Sequence, residues 1–343
     1  MIPWKSGKTI PFARENCFLL RGILGELTGI KSFRCWAFEL LWRGSECRYP
    51  QVFLRSLRLK TFNCFEHGLL NYGCDCDDLA QRAHPMQSDE KLTLLARLLL
   101  CFCRKPGTTD YPMHGVHFEQ GKELEELEQV FPRFREGLAG KTVLDFGCGF
   151  GYQSVAFCHA GARQVIGIDI NQQALDAAAH RASSMGLNDR ITFVDRLPEA
   201  LKCDVIVSQN SFEHFIDAET VLASMQSALD PKGKIFLTFG PPWYAPWGGH
   251  MGFFCRLPWV QILFPEQTVI EARSRFRSDN ATSYRDLHLA KMSIQKFSRI
   301  VKRSGLHCSS LRLDCSLGMN WLKFTPLREF FINRVSCVLT PGR

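Results

Sequence analysis

The 343-residue sequence contains no stretch approaching the roughly 20 consecutive apolar residues that a membrane-spanning helix needs. Its first ten residues are basic, but neither an apolar core nor a small-residue cleavage site follows them, so they do not read as a secretory signal. Among its 15 cysteines there are no matched C-x2–4-C knuckles. The two close pairs, Cys74/Cys76 and Cys101/Cys103, have one intervening residue, which disfavours structural zinc. Cys148, Cys158 and Cys203 lie inside apolar segments and read as buried thiols of a reducing compartment. Low hydrophobicity is also lacking: 45% apolar residues against 22% charged exclude a disordered chain and suffice for a full core. A cytoplasmic protein is the expectation. The net charge of +8 helps an anionic substrate approach without requiring nucleic acid.

What is present is concentrated in Val143-Leu-Asp-Phe-Gly-Cys-Gly-Phe-Gly-Tyr152, an apolar strand running into Gly147, Gly149 and Gly151. Glycine at three alternate positions predicts positive φ, or a ligand passing where a Cβ would sit. Residues 154–161 predict a helix whose first amides face that ligand. A second strand over 164–170 ends in Asp169 and Ile170, and places a carboxylate where a doubly wound sheet holds ribose hydroxyls. The spacing is G-x-G-x-G, not the G-x-G-x-x-G that cradles a pyrophosphate. Asp145, two residues before the first glycine, suits a cofactor carrying an ammonium group.

At these residues the chain resembles the class I S-adenosylmethionine-dependent methyltransferases, whose first motif is an acid followed by G-x-G-x-G. The resemblance continues through Asp195 closing a third strand, a fourth strand over 204–208, and a turn into a fifth over 229–237. It implies an α/β fold, a Rossmann-like seven-stranded sheet with an antiparallel last strand, and S-adenosyl-L-methionine as cofactor. The implied cofactor site is Asp145, Gly147, Gly149, Gly151, Asp169, Ile170, Asp195 and Asn210. Asp195 stands where the family contacts the adenine amino group, although Arg196 replaces the small apolar residue often found beside it. The N-P-P-Y type motif of amino-methylating nucleic-acid enzymes is absent after the fourth strand, which counts against base methylation.

Ligands of an open α/β sheet lie beyond the carboxyl ends of the strands, which brings Glu213 and His214 toward the transferred methyl group. A neutral histidine there can take the proton of an attacking hydroxyl. Asn210-Ser-Phe-Glu-His214, followed by His250, resembles the metal-binding E-x-x-E-H…H pattern of small-RNA 2′-O-methyltransferases. Its first part resembles ubiquinone-pathway O-methyltransferases. Asn210 replaces the first glutamate. The resemblance implies a divalent metal on Glu213, His214 and His250; a metal-free catalytic pair and a merely loop-capping His250 remain open, with the metal-free pair favoured.

Residues 1–115 read as an N-terminal extension, with eleven Lys or Arg against four Glu in the first 60 residues and no nucleic-acid motif. Residues 116–343 read as the catalytic domain, with a lid insertion over about 241–290 and a second short lid over 314–329. Apolar spacing predicts a helix over 122–131, an alanine-rich run stopped by Gly186 predicts one over 172–185, and a further helix is expected over 293–304. The last two strands, 306–313 and 330–339, are too close in sequence for a crossover and should pair antiparallel. In the insertion, Trp243, Tyr244, Trp247, Phe253, Phe254 and Trp259 either wall an acceptor pocket or bury the loop, and Arg273, Arg275 and Arg277 read as a solvated basic face. The function expected is methyl transfer to a small-molecule acceptor, on a hydroxyl oxygen. RNA 2′-O- or protein methylation is the alternative enzyme reading, and a cofactor-binding scaffold subunit the non-enzymatic one. Nucleic acid is not favoured as a partner.

Overall fold

The computed structural model describes residues 92–104 and 122–342. The chain divides into two compact units, Met1–Gln81 and Arg82–Arg343. The first, with its basic segment and Cys74/Cys76, lies outside the described residues.

Seven strands form one sheet: β1 Thr142–Phe146, β2 Gln164–Ile168, β3 Ile191–Val194, β4 Cys203–Gln209, β5 Leu229–Phe239, β6 His307–Cys315 and β7 Ile332–Thr340. Their spatial order is β3-β2-β1-β4-β5-β7-β6, with β7 antiparallel to both neighbours and β1 to β5 mutually parallel. This is the expected sheet.

The parallel strands are apolar on both faces because helices cover both, and side chains alternate between them. Val143, Val165, Val205 and Val207 face one layer with Leu127, Leu138 and Phe157; Leu144, Ile166, Ile206 and Leu237 face the other with Leu222 and Phe297. Helix Ile294–Ser304 shows how local sequence sets an element. Ser293 Oγ caps it by accepting from Lys296 N, Gly305 ends it at φ 75°, and Ile294, Phe297, Ile300 and Val301 form its buried stripe.

The insertion after β5 builds its own cluster from Met251, Phe254, Val260, Val269 and Tyr284, and Leu99 completes it. Leu99 belongs to helix Leu94–Leu100, whose N-cap Thr93 donates through N and Oγ1 to the two carboxylate oxygens of Glu271, each at 2.6 Å. Cys103 pairs with Cys255 in an antiparallel bridge flanked by Arg104 N to Phe254 O and Arg256 N to Phe102 O. Residues 92–104, which the sequence placed in an extension, are therefore packed on the insertion.

Five of the six insertion aromatics pair with rings: Trp243 against Tyr284, Tyr244 against Phe330, Phe253 against Phe254, and Trp259 against Phe331. Tyr244 and Trp247 keep exposed faces. The arginine segment is not a uniform solvated face, because Arg273 is buried and forks onto Asp279. Among the described residues, no helix is long and apolar enough to cross a membrane.

Candidate active site

The three glycines have separate reasons. Gly147, Gly149 and Gly151 all have positive φ, of 83°, 50° and 72°. A Cβ at Gly147 would stand 2.6 Å from Ser211 Oγ, and one at Gly151 would stand 2.7 Å from the Ala178 Cβ. At Gly149 it would meet nothing within 4 Å. Two glycines thus admit protein neighbours, and the middle one leaves an open face.

The turn is pinned to β2. Gly147 N and Cys148 N donate to Ile168 O, and Gly149 N donates to Asp169 Oδ2 at 2.8 Å. Asp169 Oδ1 accepts from Asn171 N at 2.9 Å, so the carboxylate is locked beside the loop. Ile170, next in sequence, is 82% exposed, unusual for so large an apolar side chain. Asp145 is buried behind the turn and accepts from Ser154 Oγ at 2.6 Å, in the first turn of helix Tyr152–His159. Burial pushes its carboxyl up to about 7; the Ser154 donor opposes this and the Asp169 charge adds to it.

A glutamine relay beside helix Tyr152–His159 was not legible in the sequence. Gln153 Nε2 donates to Gln209 Oε1 and to Glu123 O, while Gln209 Nε2 donates to Glu126 Oε2 at 2.7 Å. The available signal was an amide at the end of β4. Asp195 is exposed and paired with Arg196 at 3.3 Å. Asn210 adopts φ 53° and opens the turn out of β4, where its N donates to Thr238 O.

That turn carries Ser211 onto Gly147 and then forms a short 3-10 helix, Phe212–His214. Phe212 anchors it in the core, leaving Glu213 and His214 at the edge where the insertion arrives. Glu213 is buried; Oε1 accepts from Gly240 N at 3.2 Å, and Oε2 has no partner. Burial raises this carboxyl to about 7, against the lowering effect of the Gly240 donor. His214 Nδ1 lies 3.2 Å from His288 O. A carbonyl only accepts, so Nδ1 carries the proton and Nε2 keeps its lone pair. His250, at φ 55°, brings its ring to 5.2 Å from that of His214. Burial lowers both imidazoles, His250 to about 4 with His214 adding to the shift. One donor atom from each of Glu213, His214 and His250 lies within 4.8 Å of the others. The structure therefore gathers the three predicted acceptor-side residues. Separately, it gathers Asp145, the glycines and Asp169; the exposed Asp195 follows Val194, whose O accepts from Asp169 N at 3.3 Å.

A family profile described as a methyltransferase domain matches residues 143–233. The ribosomal protein L11 methyltransferase of Actinobacillus succinogenes is 47% identical over 103 residues, 29% of this chain and 34% of that protein. The Escherichia coli protein of the same name is 45% identical over 73 residues, 21% of this chain and 25% of that one. The matches thus span about a third or less of the relatives' length. Among solved structures, an S-adenosylmethionine-dependent methyltransferase from Mesorhizobium loti aligns at 16% identity, with a TM-score of 0.43, over 64% of this chain and 98% of the other. Magnesium protoporphyrin IX methyltransferase from Synechocystis, with S-adenosylhomocysteine bound, aligns at 19% identity, with a TM-score of 0.41, over 66% and 90%. The profile match runs from β1 into β5, across the glycine loop and Asp169, and the sheet around it has the order and the reversed β7 expected from the first motif. Residues 143–233 thus match a methyltransferase domain, within a sheet of the order and reversed last strand expected of the class I S-adenosylmethionine-dependent methyltransferases.

Proposed function

We propose that this chain transfers the methyl group of S-adenosylmethionine to a hydroxyl oxygen of a small molecule, with Glu213, His214 and His250 on the acceptor side. The residues fit the cofactor. Gly149 leaves room for its body, Asp145 offers a buried carboxylate to its ammonium, and Asp169 and the exposed Ile170 stand where ribose and adenine would lie. When bound, it supplies an electrophilic methyl group. The protein's part is to hold the acceptor oxygen in line with that methyl, to exclude water, and to provide for the hydroxyl proton.

The observation that carries the reading is the turn after β4. Ser211 packs on Gly147 at the cofactor loop, and within three residues the same turn presents Glu213 and His214 to His250 of the insertion. A second reading, a protein acceptor, is favoured by the names of the curated relatives. The family match ends at residue 233, however, before β5 is complete and before the insertion that supplies His250. The relatives themselves are matched over only 34% and 25% of their length, so their names bear weakly on the acceptor.

Methyl-labelled cofactor incubated with fractionated cell extract tests the reading. Protein-dependent label in the low-mass fraction supports it. Label only in polypeptide establishes the second reading, and label only in RNA contradicts both.

A further inference from the structure

The geometry points to a redox-active thiol pair, Cys103 and Cys255, which a low-molecular-weight disulfide converts into a covalent tie between the segment of helix Leu94–Leu100 and the insertion. The two residues face one another in an antiparallel bridge, where Arg104 N donates to Phe254 O at 2.7 Å and Arg256 N to Phe102 O at 3.1 Å. Both bonds belong to flanking residues. Cys103 and Cys255 are therefore the non-hydrogen-bonded kind of antiparallel pair, in which the side chains come closer together. Cα atoms of such a pair are typically about 4.5 Å apart, inside the roughly 4.4–6.8 Å that a disulfide spans. Both thiols are free in the structure. They also interact: hydrogen bonding from the Cys103 thiol holds Cys255 below the usual thiol range, and the same contact raises Cys103.

The pair is asymmetric in a way that suits exchange. Cys103 is partly exposed and Cys255 is buried at 1% exposure, so a reagent reaches the first sulfur and the second stands behind it. Interacting thiols lose their first proton as a unit, and either sulfur can carry the charge. The Cys103 thiolate attacks one sulfur of the reagent disulfide and expels one small thiolate, which takes up a proton. Cys255, deprotonated in turn, attacks the Cys103 sulfur of the mixed disulfide and expels the second small thiol. Two electrons and two protons pass from the protein to the reagent, and the Cys103–Cys255 bond replaces the reagent's S–S bond. The tie lies close in sequence to the acceptor side: Cys255 N donates to Met251 O at 2.9 Å, and Met251 follows His250. The ring it closes takes in β1 to β5, a long loop whose closure favours the folded state.

Peptide mapping of the full chain tests the pair. The reduced protein is incubated with glutathione disulfide, its remaining thiols are blocked with N-ethylmaleimide, and a tryptic digest is read by mass spectrometry without reduction. The expected product is peptide 98–104 joined to peptide 235–256, and dithiothreitol separates the two. Peptide 98–104 also carries Cys101, so two variants identify the sulfur: the joined product persists in Cys101→Ser and disappears in Cys103→Ser. Both positions keep some exposure, so neither serine is forced into the core. The oxidised chain should also melt roughly 4–16 °C above the reduced one, a difference that Cys103→Ser removes. Glutathione adducts without the joined peptide overturn the pairing, as does a joined peptide that survives in Cys103→Ser. An unchanged melting temperature in a chain that carries the bond overturns the tie.

Discussion

Asp145 should make cofactor binding release a proton. In the free protein its carboxyl is held at about 7 by burial, despite the Ser154 hydroxyl at 2.6 Å. An ammonium placed against it favours the ionised form, so the bound state holds the carboxylate even where the free state is protonated. The sign follows: affinity is reduced where Asp145 is protonated, rises as pH passes through about 7, and is flat above. With that midpoint the ionised fraction is roughly 0.09 at pH 6 and 0.76 at pH 7.5, so affinity for S-adenosylhomocysteine should increase about eightfold, or about 1.2 kcal/mol, across that interval. Calorimetry at pH 7 in buffers of different ionisation heat should report about half a proton released per site. Asp145→Asn should bind more weakly and remove the step. Ser154→Ala, which deletes the donor that opposes burial, should move the step to higher pH. A pH-flat affinity for the unsubstituted chain, or a step that survives in Asp145→Asn, refutes the assignment of this carboxylate to the ammonium.

Asp169→Ala should weaken S-adenosylhomocysteine binding by about 1–3 kcal/mol by calorimetry, since it removes a charged acceptor and also frees the Gly149 and Asn171 amides that hold the loop. Gly151→Ala combines a left-handed φ with a 2.7 Å approach to Ala178, and should lower stability in denaturant titration by about 1–3 kcal/mol. Leu99→Ala should cost about 2–5 kcal/mol in the same assay, because Leu99 is fully buried in the insertion's cluster. A chain beginning at Tyr111 lacks that helix and should be markedly less stable than one beginning at Arg82, where the second compact unit starts; equal melting temperatures would show the helix to be dispensable.

The parts legible in the sequence were those fixed by local periodicity and backbone constraint. Apolar strands and glycines suited to positive φ are short-range features, and the resemblance they carry implied the seven-stranded sheet with its reversed last strand. Meetings across long sequence separations were not legible. Gln209 reaches Glu126 across 83 residues, and Thr93 reaches Glu271 across 178, with nothing in either segment to announce the other. For that reason helix Leu94–Leu100 was read as part of an extension although its apolar run was plain. Arg273 misled differently: a run of arginines reads as solvated, but Asp279 six residues later forms the fork that lets one of them be buried. The gathering of Glu213, His214 and His250 was foreseeable only because the turn after β4 and the start of an insertion after β5 both lie beyond the carboxyl edge of adjacent strands.

The most direct measurement is calorimetric comparison of S-adenosylhomocysteine and NAD on the full chain. The G-x-G-x-G loop, with Asp145 behind it and Asp169 beside it, predicts saturable binding of S-adenosylhomocysteine at one site per chain, in the micromolar range of roughly −8 kcal/mol, that NAD does not displace. Tighter binding of NAD than of S-adenosylhomocysteine would contradict the account.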